Sequence, residues 1–382
     1  MNWEKTTIGE HCTVTSSKRF HLSERSTSGV PFYCSKEIIQ KVNGHEIIEC
    51  DYIREELYEQ VKKQFGVPKT GDLLITTRGT YGVPYIYSAT DRFYFADGNL
   101  TWLKDFDKKL LPEFLLYWVK SHEGQGKIDA IAKGTAQKAV PIISIKALEI
   151  PLPQITQQKR IIDILSAYDN LIENNQKQIK LLEEAAQRLH KEWFVDLRFP
   201  GYETTPVVDG VPEGWHQGTL EELISINYGK DHKQVPEDGE IPVYGSGGLI
   251  RKCNKFLYTG EAVLIPRKGS LNHIMYVNEA FWTVDTMFYA TMKKPNTALF
   301  VYFFISSFDM YAMNIGAAVP SMTVKILEAI PLLIPSENAL KRFDDTVKVY
   351  FQKIAVLNKQ IEGLAEARDR LLPKLMSGEI EV

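Results

Sequence analysis

Two short loops carry residue types suited to gripping nucleic acid. Thr76-Thr77-Arg78-Gly79-Thr80-Tyr81-Gly82 closes one apolar stretch, and Pro266-Arg267-Lys268-Gly269-Ser270 closes another. An arginine can take a guanine edge or a phosphate through two N–H groups, glycine admits close backbone approach, and hydroxyls bond base or backbone. The same residues make an ordinary hairpin turn, so it is their recurrence in both halves that points to a ligand. A second candidate is Lys133-Gly134-Thr135-Ala136-Gln137-Lys138. Gln137 has the amide geometry for adenine, Thr135 adds a hydroxyl, and Lys133 and Lys138 flank them for phosphates. The matching place in the second half, Gly316-Ala317-Ala318, is shorter and uncharged. A third set comprises Tyr33, Ser35 and Lys36 in the first half with Tyr244, Ser246, Arg251 and Lys252 in the second. Those tyrosines serve equally well as core residues with a satisfied hydroxyl.

Other chemistry finds little support. A methyltransferase needs a cofactor-binding glycine loop and an Asn/Asp-Pro-Pro-aromatic motif around a flipped base, and neither is present. Gly245-Ser246-Gly247-Gly248 lacks the spacing of a dinucleotide or P-loop fingerprint. The eight histidines are scattered, and the His11-Cys12 pair has no companion at metal-ligand spacing. No acidic pair and lysine cluster around a strand as a nuclease would require. The four cysteines, Cys12, Cys34, Cys50 and Cys253, show no paired spacing and read as free thiols. The expectation is a chain without catalytic residues or a metal of its own.

Composition is that of a globular protein with room for two domains in 382 residues. Its longest apolar stretch, Ala298 to Ile305, is too short to span a bilayer, and Met1-Asn2-Trp3-Glu4 does not start a signal sequence, so a cytoplasmic location is expected. Charge runs against nucleic-acid binding: residues 1–150 carry 20 basic and 19 acidic side chains, and 201–335 carry 10 and 14. Phosphate neutralisation supplies much of the affinity for DNA, so any such binding needs locally clustered charge or charge from a partner.

The elements that must position these loops occur twice. Val140-Pro141-Ile142 through Glu149 returns as Val319-Pro320-Ser321 through Glu328 at an offset of 179. Trp3 with Ile8 matches Trp215 with Leu220 (212), Gly71-Asp72 matches Gly260-Glu261 (189), Tyr117–Ser121 matches Tyr302–Ser306 (185), and Lys159-Arg160 matches Lys341-Arg342 (182). Drifting offsets mean insertions between shared scaffold positions, hence a domain duplication with divergent loops. Residues 71–77 and 261–266 read as strands, 112–121 and 298–307 as buried helices, and the Gly- and Pro-bearing stretch 201–214 as a linker.

A long helix follows each half. Ile161, Leu165, Tyr168, Ile172, Asn175, Ile179, Leu182, Ala186, Leu189 and Trp193 alternate steps of four and three, and Phe343, Val347, Tyr350, Ile354, Leu357, Ile361, Leu364, Arg368 and Leu371 repeat the pattern 182 positions later. This is coiled-coil spacing. Connectivity favours antiparallel pairing and a pseudo-twofold axis, and residues 157–193 would span about 55 Å, or about one and a half turns of B-DNA. Asn175 on the seam either fixes the register or lies partly exposed at its edge. Arg368 on the seam suggests fraying, or packing against another protein.

Several motifs together resemble type I restriction-modification specificity subunits: Arg370-Leu371-Leu372-Pro373-Lys374-Leu375-Met376-Ser377-Gly378-Glu379-Ile380, Glu192-Trp193-Phe194-Val195-Asp196-Leu197-Arg198-Phe199-Pro200-Gly201, Val211-Pro212-Glu213-Gly214-Trp215, and Ile150-Pro151-Leu152-Pro153 leading to Lys159-Arg160-Ile161. The resemblance spans the chain. It implies an α+β protein with two mixed α/β target recognition domains, at 1–153 and 201–335, and two coiled-coil helix regions, at 154–200 and 336–382. Each domain would read one half of a bipartite site in double-stranded DNA. The helices would set the spacer and dock two adenine methyltransferase subunits. The chain would bind no cofactor; S-adenosylmethionine would belong to the methyltransferase, and ATP and Mg to a restriction/translocase subunit where one is present, in a host-defence complex. The alternatives are the recognition subunit of a related methyltransferase-nuclease assembly and a coiled-coil protein-binding scaffold.

Overall fold

The computed structural model describes residues 3–134, 138–313 and 321–382. It divides into two compact units, Met1–Gln176 with Lys359–Val382, and Lys177–Asn358.

In the first unit the strand Leu73–Thr76 is buried throughout, because both of its faces are covered. Leu73 and Ile75 pack with Ile8, Phe114, Trp118, Ile145 and Ile161, whereas Leu74 points the other way, to Phe93, Phe95 and Trp102. This strand lies in a four-stranded antiparallel sheet ordered 13–15, 100–104, 73–76, 84–86. A second small sheet, ordered 25–26, 51–53, 30–33, 94–95, has its last two strands parallel. The helix Pro112–Lys120 starts with proline at its first turn, where no backbone donor is lost, and buries Phe114, Leu115 and Trp118.

The second unit carries a six-stranded sheet ordered 224–228, 287–292, 258–266, 275–283, 241–245, 248–253. Its helix Ala298–Ser306 is apolar nearly all round and correspondingly buried. Residues 201–214 hold a short 3-10 turn, Tyr202–Thr204, and a two-stranded ribbon pairing Val207–Val208 with Val211–Pro212.

The structure corrects the register of the repeat. The helices Ile142–Lys146 and Val324–Glu328, and the strands Glu149–Leu152 and Pro331–Ile334, stand 182 residues apart, not 179. Val140 N–H donates to Thr77 O at 2.9 Å, and Met322 N–H donates to Arg267 O at 2.9 Å. Val140 therefore corresponds to Met322, and the Val319-Pro320 likeness is displaced by three residues. The strands correspond at 190, not 189, since Val263 and Ile265 face the helical core as Leu73 and Ile75 do, while Ala262 and Leu264 face the opposite side. A one-residue slip in a strand exchanges its faces, so burial settles the point.

The first long helix, Ile155–His190, continues into a π-helical turn at Lys191–Val195, and the second spans Glu337–Met376 with Pro373 inside its last turn. In the first unit Asn175 Nδ2 donates to Gln360 Oε1 at 3.3 Å and Arg368 Nη1 donates to Asp169 Oδ1 at 2.6 Å. Rising numbers on one helix meet falling numbers on the other, so the pair is antiparallel there. In the second unit His190 and Trp193 meet Phe343 at ring separations of 6.0 and 5.9 Å. Leu165, Asn175, Val347, Ile354 and Leu357 are buried, and Tyr168, Ile172, Ile179, Leu182, Leu189, Tyr350, Ile361, Leu364 and Leu371 are partly buried. Arg368 is not a sign of fraying: its guanidinium is engaged by Asp169 and Asp369.

Candidate nucleic-acid interface

Once the register is corrected, the two loops correspond residue for residue. Arg78 corresponds to Lys268, Gly79 to Gly269 and Thr80 to Ser270. Arg78 forms an isolated bridge with Ala139, and Lys268 forms one with Ser321, again 182 residues further on. Gly79 and Gly269 both have positive φ, 72° and 85°, which reverses the chain directly after the cation. Arg267, which the offset of 189 would align with Arg78, thus stands at the place of Thr77.

In the first unit one carbonyl gathers the site. Asn99 O accepts from Thr77 N–H at 2.8 Å and from Ser35 Oγ at 3.0 Å, which ties the strand end beside Arg78 to the helix Ser35–Val42 that carries Lys36. Lys133 bridges Ala139, the residue that also pairs with Arg78. Arg78, Lys133, Lys36, Lys138 and Thr80 are exposed, and none of the four cations forms an ion pair among the described residues. Tyr81 is partly buried and its hydroxyl bonds Asp129, whose carboxylate holds the phenol above its ordinary value. Tyr33 packs on Phe93 at 4.5 Å between centroids, and burial pushes its hydroxyl up to about 12. Thr135, Ala136 and Gln137 lie outside the described residues.

The second unit brings Ser246, Arg267, Lys268 and Ser270 together, whereas the other three candidates, Tyr244, Arg251 and Lys252, are engaged by partners within the unit. A Cβ on Gly269 would lie 2.7 Å from Ser246 Oγ, so the hairpin turn at 246–247 and the loop are in contact. His273 Nδ1 lies 3.0 Å from Ser246 O, and Tyr311 donates its hydroxyl to Gly269 O at 3.1 Å. Arg267 stacks over Tyr228 at 5.4 Å and donates from Nη1 to Asp285 O at 3.3 Å; Lys268 and Ser270 are exposed. Arg251 is held by His232 and the Val235 carbonyl, and Lys252 pairs with Glu240. Tyr244 donates its hydroxyl to Glu279 at 2.8 Å, and burial raises its pKa. Sequence reasoning missed Asn99, Tyr228, His273 and Tyr311, for which no local pattern gives a signal.

Among the described residues no group of three or more His, Cys, Asp and Glu side chains is arranged to hold a metal ion. No described helix is long and apolar enough to cross a membrane. The four cysteines are unbridged.

The sequence model of the type I restriction modification DNA specificity domain matches residues 1–184 and again 212–366, once in each repeat. The chain belongs to the type I restriction-modification specificity family. It is 26% identical over 359 residues to the type I restriction enzyme MjaIX specificity subunit of Methanocaldococcus jannaschii, covering 82% of this chain and 78% of that one. Similarity to the type I restriction enzyme HindI specificity subunit of Haemophilus influenzae is 22% over 99% of this chain and all of that one. The crystal structure of a type I restriction-modification S subunit from M. genitalium has the same fold, with a TM-score of 0.62 at 19% identity over 98% of this chain and 96% of that chain. The specificity subunit is a non-catalytic component of its system, and such subunits act in restriction-modification complexes with DNA and other subunits.

Proposed function

We propose that this specificity subunit reads a bipartite site in double-stranded DNA, one half with the domain at 1–153 and the other with the domain at 201–335. The helix regions at 154–200 and 336–382 set the spacer and dock two adenine methyltransferase subunits, which bind S-adenosylmethionine and methylate the site in the cytoplasm. A restriction/translocase subunit using ATP and Mg joins where the system has one. The observation that carries this reading is the pair of bridges Arg78–Ala139 and Lys268–Ser321. One frame presents two different loops, with exposed Arg78, Lys133 and Lys138 in the first half and the Arg267–Tyr228 stack beside Lys268 in the second. Equivalent positions with different chemistry are what two unlike half-sites require. Near-neutral charge fits a subunit whose partners enclose the duplex and supply phosphate contacts.

The test is to map methylated adenines in cells making this chain with its methyltransferase. One bipartite motif, lost when the chain is deleted, is expected. Methylation unchanged by the deletion, with the complex assembled and active, would replace the reading with that of a protein-binding scaffold.

A further inference from the structure

A cleft of about 340 Å³ opens in the first unit, lined by Thr15–Arg19, Phe65, Tyr94, Trp102 and Lys104. Some lysines of this unit are matched to carboxylates, such as Lys41 to Asp91 at 2.8 Å and Lys127 to Glu123 at 2.9 Å. In the cleft Lys18 Nζ lies over the Phe65 ring at 5.6 Å and Lys104 Nζ over the Trp102 ring at 4.4 Å, and neither forms an ion pair among the described residues. An aromatic face holds an ammonium in place without neutralising it. Trp102 is itself fixed by its Nε1–H, donated to Asp72 at 2.8 Å. Ser16 Oγ and Ser17 Oγ are buried without a partner among the described residues, and Ser17 is only 9% exposed. A serine hydroxyl reorients by a single χ1 step. Arg19 adds a third cation, with its Nε 3.5 Å from Asp97, the one carboxylate paired to a cation of the cleft among the described residues.

We propose that this cleft binds a phosphate group. Two ammonium groups that form no ion pair and two hydroxyls without a partner among the described residues match an anion with several acceptor oxygens, and the space exceeds what a lone carboxylate fills. Asp97 directly precedes Gly98 and Asn99, whose carbonyls bond Thr77, so the cleft adjoins the loop edge that carries Arg78. The phosphate therefore comes either from a duplex backbone passing that edge or from a free phosphate compound. The proposal stands apart from the bipartite-site reading, since it concerns an anion and not a sequence.

The experiment titrates inorganic phosphate into the full chain and follows phosphorus line broadening for wild type, Ser17→Ala, Lys104→Met and a control in the second unit, Lys255→Met. Saturable binding is expected, weakened about tenfold by Ser17→Ala and by Lys104→Met and unchanged in the control. Ser17→Ala removes a hydroxyl that has no partner among the described residues, so its melting temperature should be equal to or above that of wild type. Displacement of bound phosphate by a short duplex assigns the cleft to the DNA backbone; retention assigns it to a free phosphate compound. Phosphate that fails to saturate, or that binds Ser17→Ala and Lys104→Met as it binds wild type, overturns the proposal.

Discussion

Arg368 on the second long helix donates to Asp169 on the first at 2.6 Å, and the same carboxylate accepts from the Tyr117 hydroxyl at 2.8 Å. One acid thereby joins both helices to the helix Pro112–Lys120 of the first unit. Burial, and then the Asp169 charge beside it, push the Tyr117 hydroxyl well above its ordinary value, so it remains a donor at every physiological pH. Burial lowers the pKa of the neighbouring Lys120.

Removing that acid should loosen the unit. Asp169→Ala leaves Arg368 and Tyr117 short of an acceptor and should cost about 1–3 kcal/mol, discounted for the partial exposure of both charges. Chemical denaturation measures it. A change within error would show that water replaces the carboxylate at no cost.

Asn175 is buried on the seam and bonded to Gln360. Asn175→Leu should keep or raise the melting temperature, because an apolar residue suits the seam, while weakening the definition of register. On the proposed function this widens the spacer lengths methylated and leaves both half-sites intact. A lower melting temperature would show that the amide pair stabilises the helices instead.

His190 is packed among Phe194, Phe300, Phe303 and Phe343, with Nε2 unpartnered among the described residues, and burial lowers its pKa to about 4. The unfolded chain protonates it near 6.5, so below that value the unfolded state binds more protons. Its contribution is complete above pH 6.5 and is lost progressively as pH falls toward 4, by up to about 3 kcal/mol. His190→Phe should flatten the stability profile between those limits. An unaltered slope in the variant would assign the pH dependence to other groups.

The two loop cations should separate by function. Arg78→Ala and Lys268→Ala, at equivalent places, should each relax one position of a different half-site at roughly 1–3 kcal/mol in the assembled complex. Arg251→Ala, whose guanidinium is held within its own domain, should lower stability before it alters the motif. Methylation maps of the three variants decide it. Uniform weakening over all sequences by Arg78→Ala would make that residue a phosphate contact.

The sequence by itself determined the parts that depend on local periodicity and composition. Alternating steps of four and three marked both long helices, and apolar runs marked strands within 71–77 and 261–266 and buried helices within 112–121 and 298–307, which the structure forms at 73–76, 258–266, 112–120 and 298–306. Recurrent motifs established the duplication and the family. Only the tertiary structure decided which residues of the two copies correspond, because a chance Val-Pro likeness three residues out of step looks as good as the true match until backbone bonds and buried faces are seen. That correction moved the equivalent of Arg78 from Arg267 to Lys268. Contacts such as Arg368 with Asp169, or Ser35 and Thr77 on Asn99, join residues far apart in the chain and leave no spacing to read. They depend on which surfaces pack together, a property of the whole fold that no local window contains.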